Sequence, residues 1–94
     1  MAVKRVRLLL KGRVQNVTFR AFAKQNAGKL GLVGYAKNLR NGDLEIVAQG
    51  DQGKIEQFVQ LCRRGPLFAK VESIQESYPE DGDEEFDIFD IRYS

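Results

Sequence analysis

The sequence predicts an α+β sandwich in which two helices pack on one face of an antiparallel sheet. Three observations lead there. The 94 residues suffice for one domain spanning 1–94 and not two. Apolar residues recur with a strand period and then a helix period, and that succession occurs twice along the chain. Turn and stop residues fall between those segments and keep each one short.

Val6-Arg7-Leu8-Leu9-Leu10 reads as a mostly buried first strand. Lys11 to Val17 reads as a loop opened by Gly12. The period then changes: Phe19, Phe22, Ala23, Ala27 and Leu30 share one helical face, and Gly31 supplies the stop. Leu32 to Lys37 reads as a second strand, and Arg40-Asn41-Gly42-Asp43 as a hairpin turn with positive φ at Asn-Gly. Leu44, Ile46 and Ala48 alternate with Glu45 and Gln49 in a third strand. Asp51 is suited to cap a second helix whose apolar face is Ile55, Phe58, Val59 and Cys62, ended by Gly65-Pro66. Val71 to Tyr78 gives a fourth strand and Phe86 to Tyr93 a fifth. The break in phase at Ile88-Phe89 predicts a bulge or burial on both faces. A short acidic loop, Glu80 to Glu85, separates these two strands. The order β-α-β-β-α-β with an additional C-terminal strand is the ferredoxin-like arrangement. That fold hosts many functions, so function has to be argued from side chains.

Composition excludes several chemistries. There is no histidine and one cysteine, so Ser-His-Asp and Cys-His triads cannot be built and a zinc cluster has too few ligands. Cys62 lies on an apolar helix face and reads as core filler. A lone cysteine and the lack of an N-terminal apolar run predict a cytoplasmic, non-membrane protein. Charge is unevenly distributed. Ten Lys and Arg precede Asp43, the first acid, and from Asp43 on there are 13 acids against five bases. The first half is therefore suited to an anionic ligand. Pairing between the two halves would produce the same pattern.

Two segments carry candidate chemistry. Gly12 to Arg20 links a strand to a helix N-terminus, where backbone amides lack partners and suit a phosphate. Gln15, Asn16, Val17, Thr18, Phe19 and Arg20 form the candidate phosphate loop. Asn16 suits a position of positive φ, and Thr18 suits a helix cap. Arg20 sits where the helix dipole disfavours a cation. A bound anion would reverse that, and a solvated surface arginine would tolerate it. Asn38, at the end of the second strand, can orient a water without titrating. An ordinary turn asparagine would look the same.

Gly12 to Arg20, followed by Gly31-Leu32-Val33-Gly34-Tyr35-Ala36-Lys37-Asn38, closely resembles the paired signatures of the acylphosphatase family. The similarity extends over nearly the whole chain, including Asn41-Gly42, Glu45 to Gly50, Gly65-Pro66 and Lys70-Val71-Glu72. It implies hydrolysis of the carboxyl–phosphate bond of small-molecule acyl phosphates to carboxylate and inorganic phosphate, with no metal or cofactor. It also implies that Arg20 binds phosphate, that amides of Gln15 to Arg20 assist, and that Asn38 orients the attacking water. The substrate phosphate would itself accept the water's proton. One departure stands out: the family usually has glycine where this chain has Asn16.

Two other readings are available on this scaffold. A non-catalytic phosphate-binding or regulatory domain would keep the anion site without turnover. An RNA-binding domain needs exposed aromatics on its central strands, and Leu44 to Gln49 has none. The expectation is a monomer without nucleic-acid or membrane partners.

Overall fold

The computed structural model describes residues 3–79 and 84–93. Its elements are β1 (Val3–Arg13), α1 (Phe19–Lys29), β2 (Val33–Asn38), β3 (Leu44–Asp51), α2 (Gln52–Arg64), β4 (Lys70–Ser77) and β5 (Phe89–Arg92). The sheet order is β4-β1-β3-β2-β5. β1 pairs antiparallel with β3 and β4, and β2 pairs antiparallel with β3. This is the expected ferredoxin-like core. The additional strand β5 joins β2 in parallel, so the sheet is mixed rather than wholly antiparallel.

Period-2 alternation sends Val6, Leu8 and Leu10 of β1 and Leu44, Ile46 and Ala48 of β3 to the same face, where all are fully buried. α1 covers β2 and β5 from that side, and α2 covers β1, β3 and β4. Each large aliphatic or aromatic side chain removed from water here contributes about 1.5–3 kcal/mol. α2 forms as its local signals dictate. The Asp51 carboxylate accepts from the amides of Gly53 and Lys54 at 3.1 and 3.3 Å, Ile55, Phe58, Val59 and Cys62 are buried, and Gly65 (φ 70°) ends the helix.

Three expectations are corrected. Gly12 does not open a loop. β1 continues to Arg13, and Gly12 (φ 122°) lies where the β1–β4 register shifts. A Cβ at Gly12 would stand 2.3 Å from the Lys70 carbonyl oxygen, so β4 could not approach any other residue there. The loop before α1 is therefore only residues 14–18. The fifth strand begins at Phe89, with neither a bulge nor two buried faces. Ile88 is 64% exposed and Phe89 5%, because the chain passes there from the open face of the sheet into the core. On the open face Phe86 packs against Tyr35, whereas Phe89 packs against Phe58 inside. In the β2–β3 turn, positive φ is confined to Gly42. Asn41 instead accepts the Asp43 amide on its side chain. Of the acidic loop, Glu80 to Asp83 lie outside the described residues.

Two of the ten first-half bases form ion pairs with second-half acids among the described residues: Arg7 with Glu45 at 2.7 Å and Lys11 with Asp43 at 2.9 Å. Burial pushes the Cys62 thiol up to about 12. The unfolded chain then loses this proton first. Stability linked to Cys62 is complete below the ordinary thiol range and declines as pH rises from there towards 12. Thiol reagents are expected to label Cys62 only at the rate of global unfolding. Labelling on mixing in native buffer would contradict this placement.

Candidate active site

The site lies at the end of the sheet where β1 gives way to α1 and β2 to its hairpin. A cleft of about 180 Å³ opens there, lined by Val14, Asn16, Thr18, Phe19, Arg20, Ala21, Asn38, Ile91 and Tyr93. Pockets for drug-sized ligands run to roughly 300–1,000 Å³, so this one suits a small anion.

The loop reaches the helix through two residues in the left-handed region, Asn16 (φ 59°) and Thr18 (φ 62°). Asparagine tolerates that conformation; for β-branched threonine it is a strained exception. Strain of this kind gathers at sites where the backbone must present itself to a ligand. Thr18 occupies the N-cap position without capping. In the left-handed region its hydroxyl turns back to the Val17 carbonyl and makes no bond to the helix amides. The first helical bond runs from Phe22 N to the Thr18 carbonyl at 3.0 Å. The amides of Phe19, Arg20 and Ala21 therefore begin α1 without helical acceptors or a side-chain cap. They form a donor surface at the positive end of the helix dipole.

Arg20 projects from this first turn. Its Nη1 donates to the Arg92 carbonyl at 3.2 Å, and its guanidinium lies 4.6 Å from the centre of the Tyr93 ring. One of five N–H donors is thus used for orientation. Among the described residues no carboxylate lies within ion-pair distance of Arg20.

Asn38 reaches the same cleft from the end of β2. Gly34, Ala36 and Asn38 share one face of β2, which is the buried face, so Asn38 is the polar end of an apolar row. Gly34 permits that row to sit close to β3: a Cβ there would stand 1.9 Å from the Val47 carbonyl oxygen. Asn38 Oδ1 is buried and accepts no hydrogen bond among the described residues. A buried acceptor left without a hydrogen bond costs about 1–3 kcal/mol, and Asn38 is also one of the residues that line the cleft.

Of the loop residues nominated from sequence, Asn16, Thr18, Phe19 and Arg20 line the cleft together with Asn38. Val17 packs partly buried against the core instead. Gln15 turns away from the cleft, and its Nε2 donates to the carbonyls of Leu39 and Asp43, each at 2.8 Å. Sequence reasoning missed Ile91, Tyr93 and the Arg92 carbonyl. The alternation Phe89-Ile91-Tyr93 was the available signal, but its use required knowing that β5 lies beside β2.

A family model for acylphosphatase matches residues 6–91 of the chain. The chain is 43% identical to the acylphosphatase of Caldivirga maquilingensis over 90 residues, covering 95% of this chain and 94% of that protein. It is 50% identical over 74 residues to the acylphosphatase of Vibrio parahaemolyticus, covering 79% and 82%. The crystal structure of acylphosphatase from Bacillus subtilis superposes with a TM-score of 0.90 at 33% identity, covering 98% of this chain and all of that one. On the strength of a matched family model, relatives matched over most of both chains and a shared fold, the chain belongs to the acylphosphatase family.

Proposed function

We propose that this acyl phosphate hydrolase holds the substrate phosphoryl group between Arg20 and the amides that open α1, while Asn38 orients the attacking water. The observation that carries this reading is that Asn38, whose Oδ1 has no hydrogen-bond partner among the described residues, lines the same small cleft as Arg20. A water there donates one hydrogen to Oδ1, which leaves an oxygen lone pair for phosphorus. As the new P–O bond forms, the bond to the acyl oxygen breaks and the carboxylate departs with the electron pair. The water's proton passes to a phosphoryl oxygen, giving inorganic phosphate. A carboxylate leaves readily, so no protein acid is required and the lack of histidine is no handicap. Positioning and fixed positive potential supply the acceleration.

The reaction needs no metal or cofactor, and the protein acts as a cytoplasmic monomer, one domain spanning 1–94. Among the described residues no helix is long and apolar enough to cross a membrane. Nucleic acid is not a partner. Tyr35, the aromatic that β2 offers on the open sheet face, is covered by Phe86 and by the Arg92 guanidinium 4.0 Å from its ring centre, so its ring face is not free to stack a base.

Hydrolysis of an aryl acyl phosphate in the presence of a chelator tests the reading. Metal-independent turnover is expected. A folded protein that binds inorganic phosphate without turnover would instead be a non-catalytic phosphate-binding domain.

Asn16 bears on rate. Its φ of 59° is one that glycine adopts without strain. Asn16→Gly keeps the loop shape and removes a side chain from the cleft wall. The backbone relief, up to about 1 kcal/mol, should appear in stability, and clearing the side chain from the phosphate's approach should raise kcat/KM by up to about fivefold. A large loss of activity would contradict this account of the loop.

A further inference from the structure

Arg20 and Asn38 stand on elements that are not neighbours. The loop bearing the amides follows β1, Asn38 ends β2, and β3 lies between the two strands. The sheet ladder does not extend past Asn38, which pairs with Leu44 as the last rung of β2 and β3. Something beyond the ladder has to set the distance between the two walls of the cleft.

Gln15 spans that gap. Its Nε2 carries two hydrogens, and two carbonyls lie at 2.8 Å, those of Leu39 and Asp43. Leu39 directly follows Asn38. Asp43 closes the same turn, its carbonyl accepting from Leu39 N at 2.9 Å. Asp43 is itself immobilised. It is only 8% exposed, and its carboxylate accepts from Lys11 of β1 at 2.9 Å and from Asn41 Nδ2 at 3.2 Å. The β2–β3 hairpin is therefore tied to β1 and its loop at two points, Lys11–Asp43 and Gln15 to both ends of the turn.

We infer that Gln15 is a positioning residue: by clamping the Leu39 and Asp43 carbonyls it holds Asn38, and hence the attacking water, in register with the phosphate loop. This rests on the roles proposed for Arg20 and Asn38. Gln15 does not border the cleft and contributes no side-chain donor to phosphate. Its effect should therefore fall on turnover and not on anion affinity. A displacement of about 1 Å in a reacting group can cost 10²-fold in rate.

The test compares Gln15→Met, which keeps length and loses both donors, with Gln15→Asn, which keeps the amide one methylene short of the two carbonyls. Should the Met variant fail to fold, the Asn variant carries the same reading. The readouts are kcat with an aryl acyl phosphate, the competitive inhibition constant of inorganic phosphate, and the effect of each change in an Asn38→Ala background. A fall in kcat of about 10- to 100-fold is expected, with phosphate inhibition changed by less than about twofold. In the Asn38→Ala background the same change should cost almost nothing further, because Gln15 acts through Asn38. Unchanged kcat, phosphate affinity falling in step with kcat, or a full additional loss on top of Asn38→Ala would overturn the inference. If Asn38→Ala is inactive while the Gln15 variants turn over normally, only the clamp is wrong. If Asn38→Ala is fully active, the water assignment fails and the clamp fails with it.

Discussion

Arg20→Ala is expected to lower kcat/KM for an aryl acyl phosphate by about 10³-fold or more, the range over which charge-stabilising groups act in phosphoryl transfer. Inhibition by inorganic phosphate should weaken with it, because the same guanidinium serves ground state and transition state. Lysine should rescue poorly. An ammonium cannot bond the Arg92 carbonyl and grip two phosphoryl oxygens in the planar geometry of a guanidinium. Stability should behave differently. Removing a cation from the first turn of α1 relieves about 0.3–1 kcal/mol of dipole conflict. Loss of the bond to the Arg92 carbonyl and of the stacking on Tyr93 acts in the opposite direction. The net change should stay within about 1 kcal/mol, measurable by urea unfolding. A folded variant that keeps a tenth of its activity would show that the amides alone hold the phosphate.

Asn38→Ala should separate from Arg20→Ala in its kinetics. It removes the water's acceptor and leaves the anion site intact. The expectation is a loss of about 10²- to 10³-fold in kcat, with phosphate inhibition close to wild type. Its stability should be unchanged or higher, because a small apolar side chain then ends the apolar row of Gly34 and Ala36 in place of a polar amide. Higher stability with lower turnover is the signature of a group kept for chemistry. If phosphate affinity collapses as well, Asn38 holds the anion itself and the division of labour proposed above is wrong.

The elements most legible in the sequence are those whose signals are local and agree. α2 is the clearest case, since the Asp51 cap, the apolar face and Gly65 all lie within one segment and all act as read. α1 and β3 follow from periodicity in the same way. What was not legible depends on partners distant in sequence. Gly12 looks like a loop residue until β4 is placed against it. Thr18 looks like a side-chain cap, and only its left-handed backbone shows that it is not. β5 had to be set beside β2, in parallel, before Tyr93 and the Arg92 carbonyl could be brought to Arg20.

The candidate site shows the same division. Arg20 and Asn38 could each be nominated from position and chemistry, and each had an ordinary surface reading that position could not dismiss. The fold brings both to one cleft, Arg20 from the first turn of α1 and Asn38 from the end of β2. Gln15 was read as a contributor of a backbone amide. Its side-chain role became visible only once the hairpin carbonyls were in place.

The central claim is that water attacks phosphorus and not the acyl carbon. Hydrolysis of an aryl acyl phosphate in ¹⁸O-enriched water, with both products examined by mass spectrometry, tests it most directly. Attack oriented by Asn38 on a phosphoryl group held by Arg20 places the label in inorganic phosphate and none in the carboxylate. Label recovered in the carboxylate would mean that the cleft positions water on the carbonyl, and would contradict the roles proposed for both residues.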